Sequence, residues 1–282
     1  MTAHPATTVS DGVVVAADGS QIAYTRRGTG PTVILVAGAF VHRGFGTMHK
    51  IADQLVDAFT VVTYDRRDRG ASKASTRDYE VAQEFQDLQA LINTNGGHAH
   101  LFGWSSGASL VLQAAPGLQG VGSIAIYETP YIVDDSRPPH PDGYIARHDE
   151  LVTQGRNAAL IDYFMTVGIG LPRIIPALSR LNPQWRKMKA LAPTLAHDAR
   201  LVNPYARGLD YPPDTFAGIS VPVWVGWGSK SPQWIRHSNR RVAEHLADQC
   251  PTATTELAGQ THLVKPAAIA PAVREHFNRH CA

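Results

Sequence analysis

The sequence indicates a serine nucleophile. Ser105 lies in the motif Gly103-Trp104-Ser105-Ser106-Gly107, between a short apolar run and a segment rich in alanine, leucine and valine. When Gly-x-Ser-x-Gly joins a strand to a helix, it forms a sharp turn, the nucleophile elbow, which exposes the serine hydroxyl. Glycines are needed because strand and helix approach too closely there for a Cβ atom. The alternative is a chance match in a glycine-rich loop, but the flanking strand and helix favour a nucleophile.

Strands and helices alternate on both sides of Ser105. The first two predicted strands form a hairpin around Gly19, and later ones are continuous apolar runs, which are typical of buried parallel strands. The predicted strands are 13–16, 21–25, 32–36, 60–64, 99–102, 121–127, 221–225 and 254–257. Helices are predicted at 47–58, from a cap at Asp78 to Gly96, and directly after the elbow. Two more are predicted, one that follows the loop 226–232 and runs through Cys250, and one at 267–280. This alternation predicts an α/β fold with a doubly wound, mostly parallel sheet.

The segment from residue 130 to about 220 has a different character. A loop rich in proline and aspartate at 134–143 is followed by four predicted helices, 144–154, 157–166, 171–181 and 183–192. Inserted helices of this size can form a lid over an active site. We therefore predict a helical cap at 133–218, inserted after the sixth strand, between two parts of the α/β core at 1–132 and 219–282.

Composition and charge argue against several other classes of protein. The formal net charge is +2 and lysine and arginine form no long run, so we expect neither nucleic acid nor a membrane as a partner. No apolar run approaches the roughly 18 residues that span a bilayer, and the first residues lack the basic and apolar parts of a signal peptide. Cys250 and Cys281 form no disulfide framework or metal motif. We expect a cytoplasmic protein without metal or cofactor; homo-oligomer formation is left open.

The order of these parts resembles the α/β-hydrolase fold over nearly the whole chain outside the insertion. Besides the elbow, residues 64–72, Tyr-Asp-Arg-Arg-Asp-Arg-Gly-Ala-Ser, carry the resemblance, as does His262 after the last strand. The family often shows Tyr-Asp-x-Arg-Gly-x-Gly-x-Ser at 64–72, so Asp68 stands where glycine is usual. In this fold the nucleophile comes first and the histidine last, which implies that His262 is the catalytic base. The alternative is an ordinary loop histidine.

The acid that should assist His262 is missing from its usual place. The family usually carries it after the seventh strand, but the loop 226–232 has no carboxylate and Ser231 stands there. A histidine base needs a carboxylate on its second ring nitrogen. Glu128 follows the apolar strand 121–127, where a charge costs desolvation energy unless it is paired. Haloalkane dehalogenases and some serine lactonases place their acid at this strand end, and this resemblance supports a Ser105–His262–Glu128 triad.

Other roles for these carboxylates remain open. Glu128 could instead be structural and accept hydrogen bonds from loop N–H groups. Asp134 and Asp135 are weaker candidates for the acid, and Asp65 is expected to organise its own loop.

The elbow also predicts where a developing oxyanion would be stabilised. The N-terminus of the next helix offers free N–H groups and the positive end of its dipole, and the first donor is the backbone N–H of Ser106. By resemblance, the second donor is the N–H of Ala39, in the loop where many relatives have His-Gly and this chain has Ala37-Gly38.

A more specific resemblance is to the zearalenone lactonases. They combine an elbow of the form Gly-x-Ser-Ser-Gly-Ala-Ser with a triad glutamate in Glu-Leu-Pro; here residues 103–109 match the elbow and Glu128-Thr129-Pro130 follows the next strand. The resemblance implies hydrolysis of a small hydrophobic ester or lactone through an acyl-enzyme. Predicted substrate-binding residues are Phe40, Trp104, Met165 and Trp185, although Met and Trp at helical spacing can equally be core.

Two other classes of function remain. A cofactor-free haloperoxidase or a carbon–carbon bond hydrolase would use the same triad. A ligand receptor built on a hydrolase fold would keep Ser105 and His262 without turnover, and the empty acid position favours that alternative.

Overall fold

Eight strands form one sheet in a computed structural model that describes residues 9–44, 46–75 and 78–281. Their order across the sheet is β1-β2-β4-β3-β5-β6-β7-β8. The strands are β1 (Val9–Val15), β2 (Gln21–Arg27), β3 (Thr32–Val36), β4 (Thr60–Tyr64), β5 (Ala99–Trp104), β6 (Val121–Tyr127), β7 (Val223–Gly228) and β8 (Thr252–Leu257). Strands β1 and β2 pair antiparallel to their neighbours, and the other six are mutually parallel. The predicted α/β fold with a mostly parallel sheet is confirmed.

Helices cover both faces of the sheet. The helices are α1 (Met48–Asp53), α2 (Val81–Thr94), α3 (Ser106–Ala114), α4 (Tyr144–Thr153), α5 (Asn157–Tyr163), α6 (Ile174–Ser179), α7 (Trp185–Leu191), α8 (Leu195–Val202), α9 (Gln233–Ala247) and α10 (Pro266–Arg279). Side chains alternate along β3: Ile34 and Val36 pack with α2, α3 and α9, whereas Val33 and Leu35 pack with α1 and α10. A strand buried on both faces needs an unbroken apolar run, which is why 32–36 has one.

Several predicted boundaries were wrong. Strand β1 begins at Val9 instead of residue 13, β5 continues to Trp104, and β8 begins at Thr252 instead of residue 254. The helix expected at 47–58 ends at Asp53 and continues as turns. Helix α2 is capped by Glu80 instead of Asp78, because Glu80 and Gln83 form a reciprocal capping box. Strand β7 begins at Val223, two residues later than expected, since Pro222 has no N–H to donate to a ladder.

Five helices, α4–α8, lie between β6 and β7 in the chain. Four were predicted, but the stretch 157–166 is divided between α5 and a π-helical turn at Phe164–Gly168. Helix α8 was missed; it follows Pro193, which interrupts the helical pattern. The proposed cap boundaries near 132 and 218 remain a prediction. Among the described residues, no helix is long and apolar enough to cross a bilayer.

Four histidines, three of them buried and His197 partly buried, should make the fold sensitive to acid. Burial lowers the pKa of each from 6.5 to about 4, and these residues are His100, His140, His197 and His276. The unfolded chain therefore takes up protons at a higher pH than the folded chain. Their stabilising contribution is fully present above pH 6.5 and is lost as the pH falls towards about 4.

We expect the urea midpoint of unfolding to fall between about pH 7 and pH 5. The variant His276→Gln removes one of these groups and should show a shallower decline. A midpoint that is constant or rises over this range would contradict the prediction.

Candidate active site

The turn at Ser105 has the geometry that its motif requires. Ser105 lies between β5 and α3 with φ of +59°. A Cβ atom on Gly103 would come within 2.6 Å of the Cα of Ala108, and one on Gly107 would come within 2.2 Å of the Val36 carbonyl oxygen. Only glycine fits at either position, because the atoms that a Cβ would meet belong to the backbone and cannot move aside as a flexible side chain can. The strand–turn–helix context predicted for Ser105 is therefore present.

The three residues of the predicted triad lie in one hydrogen-bonded chain. Nε2 of His262 is 3.1 Å from Oγ of Ser105, and its Nδ1 is 2.8 Å from Oε2 of Glu128. Glu128 is fully buried, whereas Ser105 and His262 are partly exposed. This arrangement lets the imidazole take a proton from the hydroxyl while the carboxylate fixes its tautomer and stabilises the imidazolium.

Glu128 is held by the loop that lacks an acid. Its Oε1 accepts hydrogen bonds from the N–H of Gly228 at 2.7 Å and from the hydroxyl of Ser231 at 2.5 Å. The backbone of Glu128 has φ of +53°, and its N–H donates to Gly226 at 3.1 Å. Ser231, which stands where the family usually has its acid, thus donates to the carboxylate that contacts His262. Sequence reasoning noticed Ser231 but did not identify this contact.

Two other carboxylates considered for this role, Asp134 and Asp65, have different partners. Oδ2 of Asp134 is 2.8 Å from Nδ1 of His237, and its Oδ1 accepts the N–H of Ser136. Asp65 accepts the N–H groups of Arg43 and Ala71, as expected of a carboxylate that organises its own loop.

Asp68, which replaces the usual glycine in that loop, has φ of +59°. That left-handed conformation favours glycine, and aspartate is among the few other residues that adopt it readily. The departure from the family pattern therefore leaves the turn intact.

Two aromatic side chains hold the loop that carries His262. The indole Nε1–H of Trp104 donates to the carbonyl of His262 at 3.1 Å, and the hydroxyl of Tyr127 donates to the carbonyl of Thr261 at 2.9 Å. Trp104 also packs in the core beneath the sheet. Its observed contact is thus with the loop of His262, and its contact with substrate remains a prediction.

Of the two predicted oxyanion donors, one adjoins Ser105 in the chain, and the other belongs to a loop that contacts Ser105. Ser106 is the first residue of α3. A Cβ on Gly38 would lie 2.8 Å from the Cβ of Ser105, so the loop that contains Ala39 packs directly against the nucleophile. The residue that follows, Phe40, has φ of +59°.

The other predicted substrate-binding residues belong to an apolar cluster between this loop and the inserted helices. Phe40 contacts Phe164 edge to face, with ring centroids 5.6 Å apart. Met165 is buried in the same cluster, and Trp185 and Ala39 pack against it. An apolar wall beside Ser105 suits a hydrophobic substrate.

Sequence reasoning missed a buried ion network beside Ser106. Arg66 pairs with Glu84, and both Arg66 and Arg69 pair with Asp198, all with side chains about 1% exposed. The 64–72 segment showed only a polar loop, and Asp198 lies on α8, the helix that was not predicted. The signal available was the presence of arginine at two of the three open positions of the family pattern.

Removal of the Ser231 hydroxyl should weaken the support of Glu128. A hydrogen bond to a charged group contributes about 1.5 kcal/mol or more, and such a loss in the transition state corresponds to roughly tenfold in rate. We expect Ser231→Ala to lower kcat for ester cleavage by about tenfold with little change in KM. Ser229→Ala, in the same loop, is the control, because the hydroxyl of Ser229 accepts the N–H of Gly259 instead of contacting Glu128. Equal rates in Ser231→Ala and wild type would contradict this role.

The chain matches known proteins over most of its length. Residues 33–272 match the alpha/beta hydrolase family. A crystal structure of an alpha/beta hydrolase from Sphaerobacter thermophilus DSM 20745 is 41% identical, covers 94% of this chain and 100% of that one, and superposes with a TM-score of 0.84. An esterase from Thermogutta terrifontis, 19% identical, covers 97% and 100% with a TM-score of 0.68, and shows a shared fold.

A curated relative is similar over a shorter region. The uncharacterized hydrolase YraK of Bacillus subtilis (strain 168) is 36% identical over 100 residues. That region is about a third of either protein, 33% of this chain and 35% of the relative. The family match and the Sphaerobacter structure cover far more of the chain, and on their strength the chain belongs to the alpha/beta hydrolase family.

Proposed function

We propose that this protein is a serine hydrolase that cleaves a carboxylic ester or lactone of a bulky hydrophobic substrate. The observation that supports this most strongly is the hydrogen-bonded chain from Ser105 through His262 to Glu128. Its carboxylate is buried and held by two donors from the β7 loop. Glu128 thus supplies the carboxylate that the loop after β7 lacks, and the missing acid no longer favours a receptor.

The proposed reaction proceeds through an acyl-enzyme. The Ser105 hydroxyl attacks the substrate carbonyl while His262 takes its proton, and the N–H groups of Ser106 and Ala39 would stabilise the tetrahedral oxyanion. Collapse of this intermediate breaks the C–O bond, and His262 returns the proton to the leaving alcohol. Water, activated by His262, then attacks the acyl-serine and releases the acid and the free Ser105 hydroxyl.

The apolar cluster around Phe40, Met165 and Trp185 supports a bulky hydrophobic substrate. A zearalenone-type macrolactone is the specific candidate, from the resemblance of the elbow and of Glu128-Thr129-Pro130. We further propose a helical cap at 133–218 and a cytoplasmic location, the latter supported by two free cysteines, Cys250 and Cys281.

A substrate comparison tests the proposal. Wild type and Ser105→Ala would be incubated with a p-nitrophenyl ester, with zearalenone and with a diketone. We expect wild type alone to consume the ester and the lactone. Ester turnover without lactone opening would leave an esterase and remove the macrolactone, and preferential cleavage of the diketone would favour a carbon–carbon bond hydrolase. Consumption of none of the three would overturn the proposal in favour of a receptor.

A further inference from the structure

Two buried arginines contact the backbone of the loop next to Ser105. Nη1 of Arg69 donates to the carbonyl of Gly38 at 2.6 Å, and Nη1 of Arg66 donates to the carbonyl of Ala37 at 3.2 Å. The two arginines occupy two of the three open positions of the pattern Tyr-Asp-x-Arg-Gly-x-Gly-x-Ser, whereas Arg67 occupies the position of its arginine. The loop beside Ser105 is thus held by two arginines that the family pattern does not specify.

The contact with Gly38 controls a predicted oxyanion donor. The carbonyl of Gly38 and the N–H of Ala39 belong to one peptide group, and in a trans peptide they point in opposite directions. A hydrogen bond that fixes the carbonyl therefore fixes the direction of the N–H. It also polarises the peptide group, so that the N–H becomes a stronger donor.

The position of Arg69 is set by a carboxylate from the inserted helices. Both carboxylate oxygens of Asp198, on α8, accept hydrogen bonds from Nη2 of Arg69, at 2.9 and 2.8 Å. Asp198 also accepts hydrogen bonds from Nη1 of Arg66 at 2.8 Å and from the hydroxyl of Ser106 at 2.7 Å. Burial would raise the pKa of Asp198, but the charges of Arg69 and Arg66 outweigh burial and lower it. One ionised carboxylate thus holds groups on both sides of the predicted oxyanion site.

Arg69 differs from its neighbour Arg67 in how its donors are used. Nε of Arg69 is buried and has no hydrogen-bond partner in the described part of the chain. An arginine retained for stability alone would be expected to satisfy this donor. Arg67 is equally buried, but it bonds through all three nitrogens to Asp87, Asp18 and the carbonyl of Gln83, away from the nucleophile. Arg67 is therefore a matched control.

We propose that Arg69 is a positioning residue that aims the Ala39 N–H at the oxygen of the reacting carbonyl, and that Asp198 couples this aim to α8. The inference rests on the proposed function and deepens it. Lysine at position 69 cannot reproduce these contacts, because an ammonium group lacks the planar guanidinium fork that contacts Gly38 and Asp198 at once.

The test compares Arg69→Lys with Arg67→Lys in ester cleavage and in binding of a trifluoromethyl ketone, whose adduct with Ser105 mimics the tetrahedral intermediate. Loss of one oxyanion donor costs about 10²–10³ in kcat, and a misaimed donor should cost less. We expect Arg69→Lys to lower kcat by about 10- to 100-fold and to weaken ketone binding by the same factor, with KM unchanged. Arg67→Lys should lower the urea midpoint but leave kcat and ketone affinity unchanged.

A milder pair of variants covers the case in which Arg69→Lys does not fold. Ser106→Ala retains the backbone N–H and removes only the hydroxyl that donates to Asp198, so we expect kcat and ketone affinity to fall together by roughly fivefold. Ser109→Ala, in the same helix, is its control.

The outcomes separate this inference from the proposed function. If Arg69→Lys and Arg67→Lys have equal kcat and ketone affinity, the role of Arg69 and Asp198 is overturned, although wild type still cleaves ester. If only the alanine variants fold, equal values in Ser106→Ala and Ser109→Ala have the same meaning. A wild-type protein that cleaves no ester would overturn the proposed function, and the inference with it.

Discussion

Replacement of Ser105 by alanine is expected to abolish ester and lactone cleavage, with kcat reduced by roughly 10⁶-fold, the size of effect known when a hydrolytic triad loses its serine. The reason is that, among the residues that the structure describes, Ser105 alone places a hydroxyl within hydrogen-bond distance of Nε2 of His262. Residual turnover would come from binding and from the oxyanion donors alone. Initial rates at saturating substrate, for wild type and variant at equal concentration, measure the effect.

Folding must be excluded as the cause of that loss. Ser105 adopts φ of +59°, and alanine is no worse than serine in that conformation, so the urea midpoint should be nearly unchanged. Ser109→Ala, buried in the same helix, should retain wild-type rates. Retention of more than about a hundredth of the activity in Ser105→Ala would place the nucleophile elsewhere.

Glu128→Gln is expected to lower kcat by about 10⁴-fold with little change in KM, as when the acid of a serine-protease triad becomes an amide. The amide can still accept from Gly228 and Ser231, so the position of residue 128 should be preserved. It cannot stabilise the imidazolium that His262 becomes, and it favours the wrong tautomer. Steady-state kinetics on a p-nitrophenyl ester separate kcat from KM.

The alternative acid supplies the control for Glu128. Asp134 carries the same charge a few residues away, but it contacts His237. Asp134→Asn should therefore retain the wild-type rate. The reverse pattern, with an intact rate in Glu128→Gln and a large loss in Asp134→Asn, would show that Asp134 is the acid.

Much of the fold follows from local patterns in the sequence. The strands 32–36, 60–64 and 121–127 have the predicted bounds, because a strand buried on both faces is mostly apolar along its length. The position of Glu128 was found in the same way. A carboxylate at the end of such a strand requires partners, and the structure provides His262, Ser231 and the N–H of Gly228.

The features that were missed depend on contacts between distant residues. Arg66 and Asp198 are 132 positions apart, and no local sequence pattern predicts that they form an ion pair. The role of Ser231 depends likewise on a neighbour 103 positions away in the chain. Helix α8 was missed because Pro193 obscures its start, although the packing of α8 against α3 and α4 stabilises it.

The most direct test of the central claim, that Ser105 is an activated nucleophile, is covalent labelling with a fluorophosphonate. Wild type, Ser105→Ala and Glu128→Gln would be incubated with the reagent, and the adduct would be located by mass spectrometry of the digested protein. We predict a single phosphonyl group on Ser105 in wild type, much slower labelling of Glu128→Gln and none of Ser105→Ala. An unlabelled wild type, or a label on a different residue, would contradict the account.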